Sequence, residues 1–192
     1  MTRTRLEAFS DGVFAIVITI MILEVKIPAG HPTLEALKDI KGEFGAYVMS
    51  FVFLGIYWVN HHHFMHTIDR VNGAILWGNL HLLFWLSLVP ATTAWLGEDF
   101  TQRIPTIVYG LSLLMPALAW NLMARSVIKF QGEHSKLRAI IGKDIKGKMS
   151  GLLYVLAIAC AFVNPIISDV IFVGTALMWI VPDRRIERHL GS

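Results

Sequence analysis

The chain has 192 residues, 55% of them apolar and 16% charged, with a formal net charge of +3 and a mean hydropathy of +0.57. These values argue against a soluble domain with a charged surface, because a core for this length needs far fewer Leu, Ile, Phe and Trp residues; the excess faces lipid. The single cysteine, Cys160, lies in an apolar run, so a disulfide framework within one chain and a cysteine-based metal site are both excluded.

The first apolar segment covers 9–27 and follows Arg3 and Arg5. It reaches Glu24 and Lys26 without a small-residue cleavage site, so it reads as a retained helix and not as a signal peptide. Pro28, Gly30 and Pro32 end it, and a mixed-charge connector runs from Glu35 to Glu43. Segments over 44–66, 73–96 and 104–124 each have about the length of a bilayer span. Two shorter segments, 149–163 and 166–181, meet at Asn164-Pro165, which predicts a tight hairpin or, alternatively, one broken helix.

Charge selects between five and six spans. With six spans and both termini cytoplasmic, Arg3, Arg5, Arg70, Arg125, Lys129, Lys136, Arg138, Lys143, Lys146, Lys148, Arg184, Arg185 and Arg188 lie inside. Lys26, Lys38, Lys41 and Arg103 lie outside, so thirteen of the seventeen Lys and Arg residues share the cytoplasmic side. Five spans would carry the C-terminal arginines outward against that bias. The predicted fold is therefore an all-α integral membrane protein in which residues 1–192 form one six-helix domain in the cell (plasma) membrane. Trp58, Trp77, Trp95, Trp120 and Trp179 fall mostly near segment ends, as interfacial aromatics do. The basic connector 125–148 reads as a loop beside anionic lipid and not as a nucleic-acid surface.

The most unusual stretch is Arg5-Leu6-Glu7-Ala8-Phe9-Ser10-Asp11-Gly12, which carries an acid into the start of a membrane helix. Such a group is costly in lipid and commonly functional. The plain alternative is that Ser10-Asp11 caps the helix start. The spacing of Arg5, Phe9, Ser10, Asp11, Ile16 and Thr19 resembles the transmembrane protein 175 family of potassium channels. Trp58, His61 and His62, then Asn79-Leu80 and Leu88-Val89-Pro90, extend the resemblance over about half of the chain. The later half is similar only in hydropathy and length. The resemblance implies a homotetramer of single six-helix units in the lipid bilayer, with helix one lining a central pore for monovalent cations, potassium as the permeant ion, and no cofactor. It also implies that Ile16 forms the neck.

Helical geometry adds an independent reading. At roughly 100° per residue, Ile16, Ile20 and Leu23 share one narrow stripe, with Thr19 at its edge and Phe9 and Gly12 continuing it. The stripe is either ordinary bundle packing or, around a fourfold axis, a stack of apolar rings that gates by dewetting. Asp11 lies roughly 140° from Ile16 and is expected to face neighbouring helices, with the histidines and Asn79 as partners. Arg5 falls nearly in line with the stripe, so the helix starts after it or its side chain folds aside onto an acid such as Asp11.

His62 and His66 are spaced i, i+4, but no acid of the same helix joins them, and a third metal ligand would have to be His81 or Asp69. No resident metal is expected. Thr106-Ile107-Val108-Tyr109-Gly110 superficially resembles a carbonyl filter, yet it begins an uninterrupted helix-length run and has Val where a glycine is needed. No phosphate loop, nucleophilic triad or paired acids suggest an enzyme. The rival function is a small proton- or metal-coupled transporter using Asp11 and the histidines from His61 to His66.

Overall fold

The computed structural model describes residues 2–26, 38, 40–141 and 144–180. Pro28, Gly30, Pro32, Glu35, Lys143, Arg184, Arg185 and Arg188, on which several of the expectations above rest, lie outside the described residues. The described residues form helices and connecting turns, with no strand among them.

Helix α1 spans Arg3–Ile20 and tightens into a 3-10 turn at Met21–Glu24. Its cap is Thr2, whose hydroxyl accepts from the Arg5 amide at 3.4 Å. Ser10 and Asp11 therefore sit two turns inside the helix and do not cap it, and Arg5 is itself helical. Helix α2 is Lys41–His66. The segment expected over 73–96 is two helices, α3 at Gly73–Ser87 and α4 at Val89–Glu98, because Pro90 lacks the amide that would continue the ladder. The Leu88 amide bonds Trp85 three residues back and tightens this junction.

Helix α5 runs over Arg103–Gln131, seven residues past the expected end at Ala124. Nothing in 125–131 breaks a helix; the stop comes at Gly132, whose φ of 64° only glycine adopts without strain. Much of the basic stretch drawn as a loop is thus helical, including the short helix α6, Lys136–Ile141. Helices α7, Ile145–Cys160, and α8, Pro165–Ile180, form a hairpin. Its turn is held by the Asn164 side chain accepting from the Ile166 amide at 3.0 Å and by Ser168 donating to the Ala157 carbonyl at 2.7 Å. The pair is a hairpin and not one broken helix.

Four segments, Arg3–Glu24, Lys41–His66, Gly73–Glu98 and Arg103–Gln131, are long and apolar enough to cross a membrane, and α8 is a shorter apolar helix. They pack around two cores. One joins α1, α2, α3 and α5 through Phe14, Leu54, Leu82 and Met123; the other joins α2, α4, α5, α7 and α8 through Phe53, Leu96, Tyr109 and Phe172. The filter-like Thr106–Gly110 is helical, and Tyr109 is fully buried against Ser50, oxygen to oxygen at 2.9 Å. Thr93 donates to Ser50 at 2.7 Å and Thr92 to Ser112 at 2.9 Å. Lipid gives helices no hydrophobic reason to associate, so such bonds and close packing hold the bundle.

Backbone meets backbone closely between α2 and α4. A Cβ on Gly97 would lie 2.7 Å from the Glu43 Cα, and one on Gly42 would lie 2.9 Å from the Gly97 carbonyl oxygen. Both obstacles are backbone, so neither yields by side-chain rotation. Gly97→Ala is expected to destabilise the protein by about 1–3 kcal/mol, the usual range for overpacking. Thermal melting in detergent checks this, and an unchanged melting temperature would show that α4 shifts freely.

The bundle has two distinct ends. At one, the Lys26 amide donates to Glu43 at 3.2 Å, bringing the end of α1 to the start of α2. At the other, Gln131 donates to the Thr67 carbonyl at 3.0 Å, and Lys136 pairs with Asp69 at 3.3 Å. Arg3, Arg5, Arg70, Lys129 and Lys136 gather at this second end, where α1 begins and α2 finishes.

Candidate pore helix and its anchor

Helix α1 has one face turned into the bundle and one turned out. Leu6, Ser10, Phe14, Val17 and Met21 are buried against α2 and α3. On the opposite side Ile16 is 64% and Leu23 74% exposed, and Phe9, Gly12, Thr19 and Ile20 are exposed with them. The stripe read from helical spacing is therefore the face that this chain itself leaves uncovered. Packing within the chain does not account for it. Thr19 donates to the Ala15 carbonyl at 2.7 Å, which satisfies its hydroxyl locally on an otherwise apolar face.

The inward face is held by a directional chain of hydrogen bonds. With Asn79 Oδ1 as acceptor, His61 donates from Nε2 at 2.8 Å. Asn79 Nδ2 donates onward to Ser10 Oγ at 2.9 Å, and Ser10 donates to the Leu6 carbonyl at 2.9 Å. Ser10, His61 and Asn79 are each 0% exposed, so the chain ties α1, α2 and α3 together where water is absent. Phe14 packs on the His61 ring at 5.4 Å between centroids.

Asp11 is turned away from the outward stripe, as the helical count predicts, but its partner differs from the expectation. Trp58 of α2 donates to Asp11 Oδ1 at 2.9 Å, whereas Asn79 and His61 bond each other and Ser10. The physical reason is the rotation of α1, which turns the Ser10 hydroxyl to the packed centre and leaves the Asp11 carboxylate at the helix flank, where it meets an indole. Trp58 is thus more than an interfacial aromatic. Arg5 is helical and exposed, and among the described residues it makes no ion pair with Asp11.

The histidines divide their work. His61 belongs to the buried chain, and His63 lines a cavity with Tyr57, Trp120, Asp144 and Trp179. His62 and His66 turn to Glu7 of α1, with His62 Nδ1 3.2 Å and His66 Nε2 3.9 Å from Glu7 Oε1. Sequence reasoning overlooked Glu7. Once Asp11 meets Trp58, antiparallel register sets Glu7, one turn before Asp11, against His62, one turn after Trp58, so two rungs join α1 and α2; spacing within either helix carried no such signal.

Residues 5–90, from α1 into the start of α4, match the family described as Endosomal/lysosomal potassium channel TMEM175. The chain is 48% identical to potassium channel HX13_20290 of a Chryseobacterium species, over 99% of this chain and 98% of that one. The chain belongs to the TMEM175 family. It is also 30% identical to potassium channel Cha6605_3372 of Chamaesiphon minutus over 83% of this chain and 84% of that one. Its fold is similar to the crystal structure of a lysosomal potassium-selective channel TMEM175 homolog from Chamaesiphon minutus, with a TM-score of 0.81, 29% identity, and coverage of 93% of this chain and 96% of that chain. As a TMEM175 family member, the protein is an all-helical, multi-pass membrane protein of an ion-channel family, not of an enzyme family.

Proposed function

We infer that this TMEM175 family member is a passive, potassium-preferring cation channel of the cell membrane, in which four copies of a six-helix subunit place α1 around a central axis. Its bacterial relatives named potassium channels support the permeant ion. The observation that carries the mechanism is the division of α1: an inward face bonded by Ser10 and Asp11, and an apolar outward stripe of Phe9, Ile16, Ile20 and Leu23. Four such stripes facing one axis make stacked apolar rings, with Ile16 the neck and Thr19 beside it. An ion passing the rings sheds water that nothing replaces, so the rings act as gate and filter. Potassium holds its water less tightly than sodium and is favoured modestly.

Ion flux into liposomes containing the purified protein tests this reading. Fast, non-saturating potassium flux without a proton requirement is the expected result. Saturable uptake driven by a proton gradient would establish the carrier reading, with Asp11 and the histidines as its relay, and would overturn the channel.

Helices α7 and α8 are the fifth and sixth spans of the proposal. At 16 residues each, they extend roughly 24 Å, short for a bilayer core of about 30 Å but workable where the bilayer thins or other helices flank them. Both termini are then cytoplasmic, on the basic side of the bundle. A reporter fused after Ser192 is expected to be active in the cytoplasm. Activity on the opposite side would remove the six-span count.

A further inference from the structure

The Glu7, His62 and His66 cluster has no role in the pore proposed above. Glu7 lies roughly 180° around α1 from Ile16, so the cluster sits behind the stripe, where α1 begins and α2 ends. His62 and His66 are one turn apart on α2, their rings 4.6 Å between centroids. Glu7 reaches across from α1, and one ligand atom from each of the three residues lies within 4.8 Å of the other two. Metal–ligand bonds of about 2.0–2.2 Å in a tetrahedron put ligand atoms roughly 3.3–3.6 Å apart. The separations of 3.2 Å and 3.9 Å from Glu7 Oε1 to the two imidazoles bracket that value. The two imidazole ligand atoms lie within 4.8 Å of each other, a gap that rotation about their side-chain bonds would close around an ion.

Exposure favours the same reading. The Glu7 side chain is 16% exposed and so held in place, while His62 at 47% and His66 at 39% leave an open side for an ion and its waters. Two imidazoles with one carboxylate suit zinc, cobalt, nickel or copper, whereas calcium and magnesium want a shell of oxygens. We propose that Glu7, His62 and His66 form a binding site for a divalent transition metal of the zinc type, which staples the first turns of α1 to the last turn of α2. The site leaves a coordination position for water. Bound metal restrains α1 and thereby changes ion flux, a consequence that rests on the channel reading; the binding itself does not.

The test uses full-length protein purified with a histidine-free tag, stripped with a chelator and titrated with Co²⁺ as a spectroscopic probe. The expected result is one Co²⁺ per chain with a visible absorption band typical of tetrahedral nitrogen and oxygen ligation, abolished by competing Zn²⁺. Glu7→Gln and His66→Gln should each weaken binding by at least about tenfold, and His63→Gln should leave it unchanged. If Glu7→Gln fails to assemble, His66→Gln, at an exposed side chain, decides alone. No band from well-assembled protein, or equal binding by the parent and His66→Gln, overturns the site and leaves Glu7 as an ion-pair partner only. In liposomes, Zn²⁺ should alter potassium flux through the parent and not through His66→Gln. Flux indifferent to Zn²⁺ with cobalt binding intact overturns the regulatory consequence, whereas absence of potassium flux overturns the channel and leaves the metal site to the cobalt titration.

Discussion

Ile16→Asn is expected to raise conductance and to lower the preference for potassium over sodium. The substitution keeps the number of heavy side-chain atoms but gives the side chain groups that bond water, so four of them around the axis of the proposed tetramer would keep the neck wet. A crossing barrier lowered by only about 1.4 kcal/mol changes a rate tenfold, and an increase of that order is the expected result. The side chain is 64% exposed in the single chain, so the change costs little in folding. Leu113→Asn supplies the contrast. Leu113 is 1% exposed in the apolar core between α5 and its neighbours, where burying an amide is costly. That variant should lose stability and leave selectivity nearly unchanged. Single-channel recordings in potassium and sodium gradients measure both. An assembled Ile16→Asn channel with the parent's conductance and sodium exclusion would remove α1 as the narrow part of the pore.

Asn79→Leu is expected to cause the larger loss of folding. Asn79 serves two buried partners, accepting from His61 and donating to Ser10. Leucine has the same branching and number of heavy atoms and bonds neither. His61 Nδ1 already has no hydrogen-bond partner in the structure, so losing the Nε2 contact strands the whole buried imidazole. A buried polar group left unsatisfied costs about 1–3 kcal/mol, and His61 Nε2 becomes one, whereas Ser10 loses the amide it accepts from but keeps its bond to the Leu6 carbonyl. The yield of assembled protein in detergent should fall sharply, and Ser10→Ala, which removes one partner, should lie between the parent and Asn79→Leu. Asp11→Ala should cost less than Asn79→Leu, because Asp11 is only partly buried and its loss frees a Trp58 indole that is itself 44% exposed. It should also leave the reversal potential unchanged, since the carboxylate faces α2. If Asp11→Ala assembles well and changes selectivity, the carboxylate acts on the ion.

The stripe of α1 was legible in the sequence because helical periodicity is local: Ile16, Ile20 and Leu23 recur at one angle and Asp11 falls at another, whereas the inward set of Leu6, Ser10, Phe14 and Val17 came from the structure. Apolar runs of span length were legible for the same reason. Partners were not. Asp11 was expected to meet Asn79 and the histidines, and it meets Trp58 instead, because which of two adjacent polar groups, Ser10 or Asp11, points to the centre depends on how α1 is rotated against α2 and α3. The same rotation brings Glu7 to His62 and His66 across 55 residues of chain or more, a pairing that spacing within either helix does not contain. Helix ends were also decided beyond the local pattern. Thr2 starts α1 before the apolar run begins, and α5 continues through charged residues to Gly132 because its last turns lie at the end of the bundle, where Gln131 reaches the Thr67 carbonyl. The sequence by itself determined the helices and their apolar faces, since backbone hydrogen bonding and side-chain periodicity act over a few residues. Only the tertiary structure decided which polar side chains meet, because those contacts depend on the rotation and register of whole helices, which many residues set together.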